Sequence, residues 1–153
     1  MDFLPLFFNV STSTALVVGA TEAAKRNVEV LNRAGCRVLW FGASRDMLAE
    51  MDSSLISSID SLADEHWSTV QFVVAALGLA EDDEALANKA KAKNLPVNVV
   101  NNAELSSFVF PSIIDRSPII AAVSSSVELP VLTRLLRSRL ESTIPHAFGR
   151  MAS

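Results

Sequence analysis

Cysteine is almost missing from this chain: Cys36 stands alone among 153 residues, accompanied by two histidines, His66 and His146. A disulfide framework needs pairs, and these three residues have no metal-ligand spacing, so neither kind of staple is expected. Cys36 reads as a small core or surface hydrophobe. A basic excess is lacking too. The formal net charge is -4, which gives no footprint for a phosphate backbone and argues against a nucleic-acid partner. Long apolar runs are absent as well: 72–79 and 113–123 are broken by Gly, Asp, Arg or Pro well short of a membrane span. No charged-then-apolar leader opens the chain, so a cytoplasmic protein without a membrane partner is expected. There is no internal repeat, and low complexity is confined to Ser-rich 52–61 and Ala/Lys-rich 85–93.

What is present is apolar surface. Half of the residues are hydrophobic, enough for one domain with a real core. The run 15–18 is short, apolar and β-branched, and it ends at Gly19; 21–34 carries helix formers up to Gly35, where a helix would stop. A second strand, 36–41, closes at Gly42, so the first forty residues predict a βαβ unit with a parallel strand pair. Segment 53–63 leaves helix and strand open. The continuous apolar run 70–76 suits a parallel strand, 81–94 a helix with acids first and lysines later, and 97–100 a further strand. Strands at 109–111 and 119–123, joined across Asp115-Arg116-Ser117-Pro118, are expected to be antiparallel. From Pro130 to Ser142, Leu132, Leu135, Leu136 and Leu140 share one side of an amphipathic helix, which Ile144-Pro145 ends. The fold class is therefore α/β: a Rossmann-like, mostly parallel sheet flanked by helices.

Within that pattern, Val17-Val18-Gly19-Ala20-Thr21-Glu22-Ala23-Ala24 occupies the place of a phosphate turn. Free N–H groups and the helix dipole at such a junction both favour negative charge. In the G-x-G-x-x-G/A fingerprint the first glycine makes the turn, the second lets backbone approach the pyrophosphate, and the third permits close helix packing. Gly19 and Ala24 fit the first and third positions. Thr21 stands at the second, where a β-branched side chain should push a dinucleotide outward unless its hydroxyl donates to phosphate. No acid follows the second strand until Asp46, and Arg45 could answer a 2′-phosphate.

The segment Phe110-Pro-Ser-Ile-Ile-Asp115-Arg116-Ser-Pro-Ile-Ile-Ala-Ala-Val-Ser124-Ser125, together with Met1-Asp2-Phe3-Leu4-Pro5-Leu6-Phe7, Val17-Val18-Gly19, Pro130-Val131-Leu132 and Leu135-Leu136-Arg137, resembles the siroheme synthase family. That family comprises precorrin-2 dehydrogenases and sirohydrochlorin ferrochelatases. The resemblance implies NAD-dependent oxidation of precorrin-2 to sirohydrochlorin, with ferrochelatase activity as a second step, in a homodimer. It implies a dinucleotide-binding domain at 1–112, a dimerisation segment at 113–144 and a tail at 145–153. Cofactor contacts fall on Gly19, Thr21, Glu22, Ala23, Ala43 and Ser44, and tetrapyrrole contacts on Asp115, Arg116, Ser124 and Ser125. No resident metal is implied. The many carboxylates of a tetrapyrrole suit the guanidinium forks of Arg116, Arg134 and Arg137, although Arg134 and Arg137 fit a solvated helix face equally well.

The resemblance also marks departures. The family's general base is an Asp closing an Asn-Val-Val-Asp-like strand end, where this chain has Asn98-Val99-Val100-Asn101. An amide accepts no proton at neutral pH, although it can hydrogen-bond and orient a ligand. The family's Ala-Ala-Thr-Asp strand end is Ala75-Ala76-Leu77-Gly78 here, which leaves Asp82 and Asp83 as helix-start residues. Its Ser-Ser-Gly-Gly is Ser124-Ser125-Ser126-Val127. Nearby acids, Glu104 and Asp115, suit a surface loop and a turn. Three functions stay open: an active enzyme of siroheme biosynthesis; a catalytically impaired paralogue that binds or delivers a tetrapyrrole or nucleotide or serves as an assembly subunit; and an unrelated nucleotide-binding module of the same architecture, since fold does not imply function. A chain complete at Ser153 and the first part of a longer protein are both compatible with the sequence.

Overall fold

The computed structural model describes residues 2–51, 53–125 and 130–144. Two compact units divide after Phe108: one is Pro5–Phe108, the other the described residues of Met1–Leu4 and Val109–Ser153. His146, the replacements Ser126-Val127 and the expected tail lie outside the described residues.

In the first unit strands and helices alternate: Thr14–Val18 (β1), Glu22–Arg33 (α1), Arg37–Phe41 (β2), Arg45–Ala49 (α2), Ile56–Ile59 (β3), Asp64–Thr69 (α3), Phe72–Ala75 (β4), Ala80–Ala92 (α4) and Val97–Val99 (β5). The strands form one parallel sheet in the order β3-β2-β1-β4-β5. The Rossmann-like expectation is met, and its reason lies in the residues. Every side chain of β4 is buried, as are four of the five in β1, which is what a sheet covered on both faces demands of its central strands. Leu16, Val18, Val73, Ala75, Val97 and Val99 pack with Trp67 of α3 and Leu86, Ala87 and Ala90 of α4. Alternation turns Ala15, Val17 and Val74 to the opposite face, where α1 contacts β1, β2 and β4 and buries Ala24, Val28 and Leu31. Each fully buried Val or Leu contributes roughly 2 kcal/mol by leaving water.

Register places the chemistry. Val18 stands level with Phe41 on one side and Ala75 on the other, and Ala75 is level with Val99. The loops after β1, β2, β4 and β5 therefore leave the sheet at one edge. Helix α1 stops at Ala34, followed by Gly35 at φ +79, the left-handed residue that ends a helix without steric cost.

In the second unit Ser112–Arg116 (β6) and Ile119–Val123 (β7) form an antiparallel pair, and Pro130–Thr143 (α5) contacts both strands. The antiparallel expectation holds, but the strand expected at 109–111 is not formed. Pro111 has no N–H to give a ladder, so pairing starts one residue later. Segment 53–63, open between helix and strand, contains β3.

Candidate functional site at the carboxyl edge of the sheet

The strand order reverses direction between β1 and β4, and that crevice is where open α/β sheets receive ligands. Gly19 sits at its floor, buried, with φ +136, and a Cβ there would lie 2.0 Å from the Ala76 carbonyl oxygen. Only glycine fits. Its N–H donates to Phe41 O at 2.9 Å and its carbonyl accepts from Trp40 Nε1 at 2.8 Å. Gly42, at φ +90, brings the β2–α2 turn against the same backbone, since a Cβ on it would be 3.3 Å from the Gly19 carbonyl carbon. The two turns are thus fixed to each other by main chain.

Thr21 is the N-cap of α1: its Oγ1 accepts from Ala24 N at 3.1 Å, and the same hydroxyl donates to Ala76 O at 2.9 Å. Glu22 and Ala23, as the first two helical residues, have no carbonyl one turn back to receive their amides. Those N–H groups lie at the positive end of a 12-residue helix. After β2, Ala43 is half-buried and Ser44 exposed; Ser44 Oγ caps α2 by accepting from Met47 N at 3.2 Å. Arg45 and Asp46 open that short helix.

The loop after β4 is held by a residue whose role the sequence does not reveal. Asp83, in the first turn of α4 and only 6% exposed, accepts Leu77 N at 2.9 Å and Gly78 N at 3.2 Å through its two carboxylate oxygens. Asp83 is therefore the helix-start residue expected from its position, and it also fixes the loop facing Thr21.

Asn101 follows β5 in the left-handed region at φ +60 and is exposed. Asparagine tolerates that conformation better than most residues because its short amide can bond locally. Val100 N still donates to Ala75 O at 3.0 Å, so position 101 leaves the sheet one strand beyond the β1–β4 crevice. With strands spaced about 4.8 Å apart, that is roughly 10 Å along the edge from Gly19. The following turn is tied by Leu105 N to Asn102 Oδ1 at 3.1 Å and by Ser106 Oγ to Asn102 O at 2.6 Å.

The other expected residues, Asp115, Arg116, Ser124 and Ser125, belong to the second unit. Asp115 Oδ1 accepts both Ser117 N at 2.9 Å and Ser117 Oγ at 2.6 Å, and Arg116 donates from Nε to Ile144 O at 3.2 Å and from its terminal nitrogen to Asp115 O at 3.0 Å. Ser124 is exposed and Ser125 half-buried at the end of the ribbon. Among the described residues no cluster of His, Cys, Asp or Glu could hold a metal ion, and no helix is long and apolar enough to cross a membrane.

A parallel sheet with a buried glycine turn at its switch point, followed by a helix N-terminus, defines the class: a Rossmann-like domain. Residues 6–112 match the sequence family described as "Putative NAD(P)-binding", and the chain belongs to that family. Over 99% of its length it is 46% identical to the siroheme synthase of Hahella chejuensis and, again over 99%, 41% identical to that of Nitrosomonas europaea. The resemblance read from the sequence is borne out by these relatives. The chain spans about a third (33%) of each of them. Among solved structures it is similar to SirC, precorrin-2 dehydrogenase, with a TM-score of 0.72 and 16% identity over 97% of this chain and 74% of that one; at that identity the likeness is one of fold.

Proposed function

We propose that the chain carries the NAD-dependent oxidation of precorrin-2 to sirohydrochlorin in siroheme biosynthesis. The carrying observation is the buried Gly19 turn at the β1–β4 switch point, in a chain similar over its whole length to siroheme synthases. In this reading the turn at Gly19, Thr21, Glu22 and Ala23 receives the diphosphate, and Ala43 and Ser44 border the adenosine ribose. Gly19, Glu22 and Ala23 fit a dinucleotide, since Gly19 has no room for a side chain and the amides of Glu22 and Ala23 are unspent within the helix, whereas the Thr21 side chain stands in the way. NAD, when bound, supplies the hydride acceptor. The chain's own residues must then orient the tetrapyrrole and take up a proton. Asp115, Arg116, Ser124 and Ser125 are the proposed tetrapyrrole contacts: Arg116 is the cationic fork for its carboxylates, the serine hydroxyls are further donors, and Asp115 can only accept, as from a pyrrole N–H. Ferrous iron insertion, a second activity of this reading, treats the metal as substrate.

Proton uptake is where a second reading gains support. Position 101 is an asparagine, which cannot serve as general base, so a domain that binds a tetrapyrrole or nucleotide, or serves as an assembly subunit, without turnover fits the same frame. We further propose that residues 113–144 form a homodimer contact: Leu132, Leu135 and Leu136 of α5 are each 42–51% exposed on one helix side.

Anaerobic incubation of the chain with precorrin-2 and NAD, followed by the absorbance of sirohydrochlorin, tests the first reading. Turnover that rises in Asn101→Asp supports an enzyme with a weakened base. Saturable NADH binding with no turnover in either protein removes the dehydrogenase and leaves the binding role.

A further inference from the structure

Thr21 does more than depart from a glycine pattern. Its side chain lies across the switch-point crevice and is satisfied on both sides. The single hydroxyl proton goes to Ala76 O at 2.9 Å, on the β4 side, and the oxygen takes Ala24 N–H at 3.1 Å, on the α1 side. Its methyl lies against the next turn, because a Cβ on Gly78 would stand 3.3 Å from Thr21 Cγ2. The receiving wall cannot easily retreat, as Leu77 N and Gly78 N are held by the buried carboxylate of Asp83.

The hydrogen-bond inventory decides what this does to a diphosphate. A hydroxyl has one proton to give, and here it is spent on a carbonyl, so Thr21 offers a phosphate oxygen no donor. It also occupies one of the helix-start amides that a phosphate would otherwise receive. The expectation that the hydroxyl could compensate for the lost glycine by donating to phosphate is therefore not met by this arrangement. A ligand must either displace the side chain and break both bonds or ride further from the turn.

We infer that Thr21 is an affinity-setting bolt: its side chain competes with the diphosphate of a dinucleotide for the crevice between β1 and β4 and sets the affinity of the turn low. The inference rests on the NAD(P)-binding reading of this site.

The test uses the full chain and NADH as probe, with calorimetric titration and thermal unfolding measured on each variant. Thr21→Gly should bind NADH at least about tenfold more tightly than the native chain, one decade in Kd, while melting at a lower temperature through loss of the cap and of the Ala76 bond. Opposite movement of affinity and stability is the signature, since a purely structural residue would lower both. Thr21→Ser keeps both hydrogen bonds and should bind as the native chain does. Thr21→Ala serves if the glycine variant does not fold, and should also gain affinity. Native binding with no gain in either the glycine or the alanine variant overturns the inference and leaves the cofactor reading intact. A serine variant as tight as the glycine one overturns it too. Absence of binding in all the proteins sinks both.

Discussion

Trp40 Nε1 donates to the carbonyl oxygen of Gly19 over 2.8 Å, with both residues buried. The largest side chain of β2 thereby holds the backbone of the turn after β1. Replacing Trp40 by Phe keeps an aromatic ring but leaves that carbonyl without its donor, which costs about 1–3 kcal/mol, plus the volume lost. Urea unfolding of Trp40→Phe should show a loss of about 3 kcal/mol with the fold retained. A loss under half of that would mean that the turn is held by other contacts.

Gly19 itself should tolerate nothing larger. A methyl at this position meets the Ala76 carbonyl oxygen, a main-chain atom, at 2.0 Å, with φ at +136. Overpacking together with a conformation closed to L side chains predicts a loss of about 3 kcal/mol or more for Gly19→Ala. Circular dichroism melting is the check, and a native-like midpoint would contradict the close approach of β1 and β4.

Asp83 gives an independent probe of the opposite wall. Asp83→Ala leaves the amides of Leu77 and Gly78 without their acceptor, and hydrogen bonds to a charged group are worth about 1.5–3 kcal/mol each in net terms. A destabilisation of about 3 kcal/mol is expected, with faster amide exchange at residues 77 and 78 in particular. Exchange unchanged at those two amides would remove the proposed bracing.

Cys36 supplies a pH signature. Burial raises its thiol pKa above the usual range, outweighing the opposing influence of the Ala15 backbone and Arg37. The folded state therefore keeps the proton to higher pH than the unfolded chain does. Its contribution is fully present below the unfolded thiol pKa and is lost as pH rises through the folded one. Stability should fall at alkaline pH less steeply in Cys36→Ala than in the native chain. Alkylation of the native thiol by iodoacetamide at neutral pH should be slow and should track unfolding.

Much of the first unit was legible because its central strands are unbroken apolar runs and α1 is bounded by Thr21 and Gly35. Helices α2 and α3, five and six residues long, are too short to show a helical period. Strand β3, Ile-Ser-Ser-Ile, carries polar residues because it lies at the sheet edge. At the site, Gly19 and Thr21 could be placed from the sequence, but their partners are main-chain atoms of Ala76, Leu77 and Gly78, and main-chain atoms leave no mark in a residue string. Asp83 could have been suspected from an acid early in a helix behind a Gly-containing turn. Asn101 was singled out for the proton it cannot accept; its left-handed backbone adds that an amide is also well suited to the bend itself.

The ribbon of β6 and β7 has a different standing from the sheet. The described elements of its unit are two strands and one helix, with Ile119, Ile120 and Leu132, Leu135 and Leu136 of α5 exposed in the single chain, which leaves a small apolar core for its size. The buried core residues lie almost wholly in 5–108, Ile114 being the exception among those fully enclosed, so an excised 5–108 should keep most of the chain's enclosed apolar surface. Enclosure is unequally distributed along the polypeptide: the leucines of α5 remain apolar surface still open to water, and a cover over them would add to the stability of the stretch that carries them.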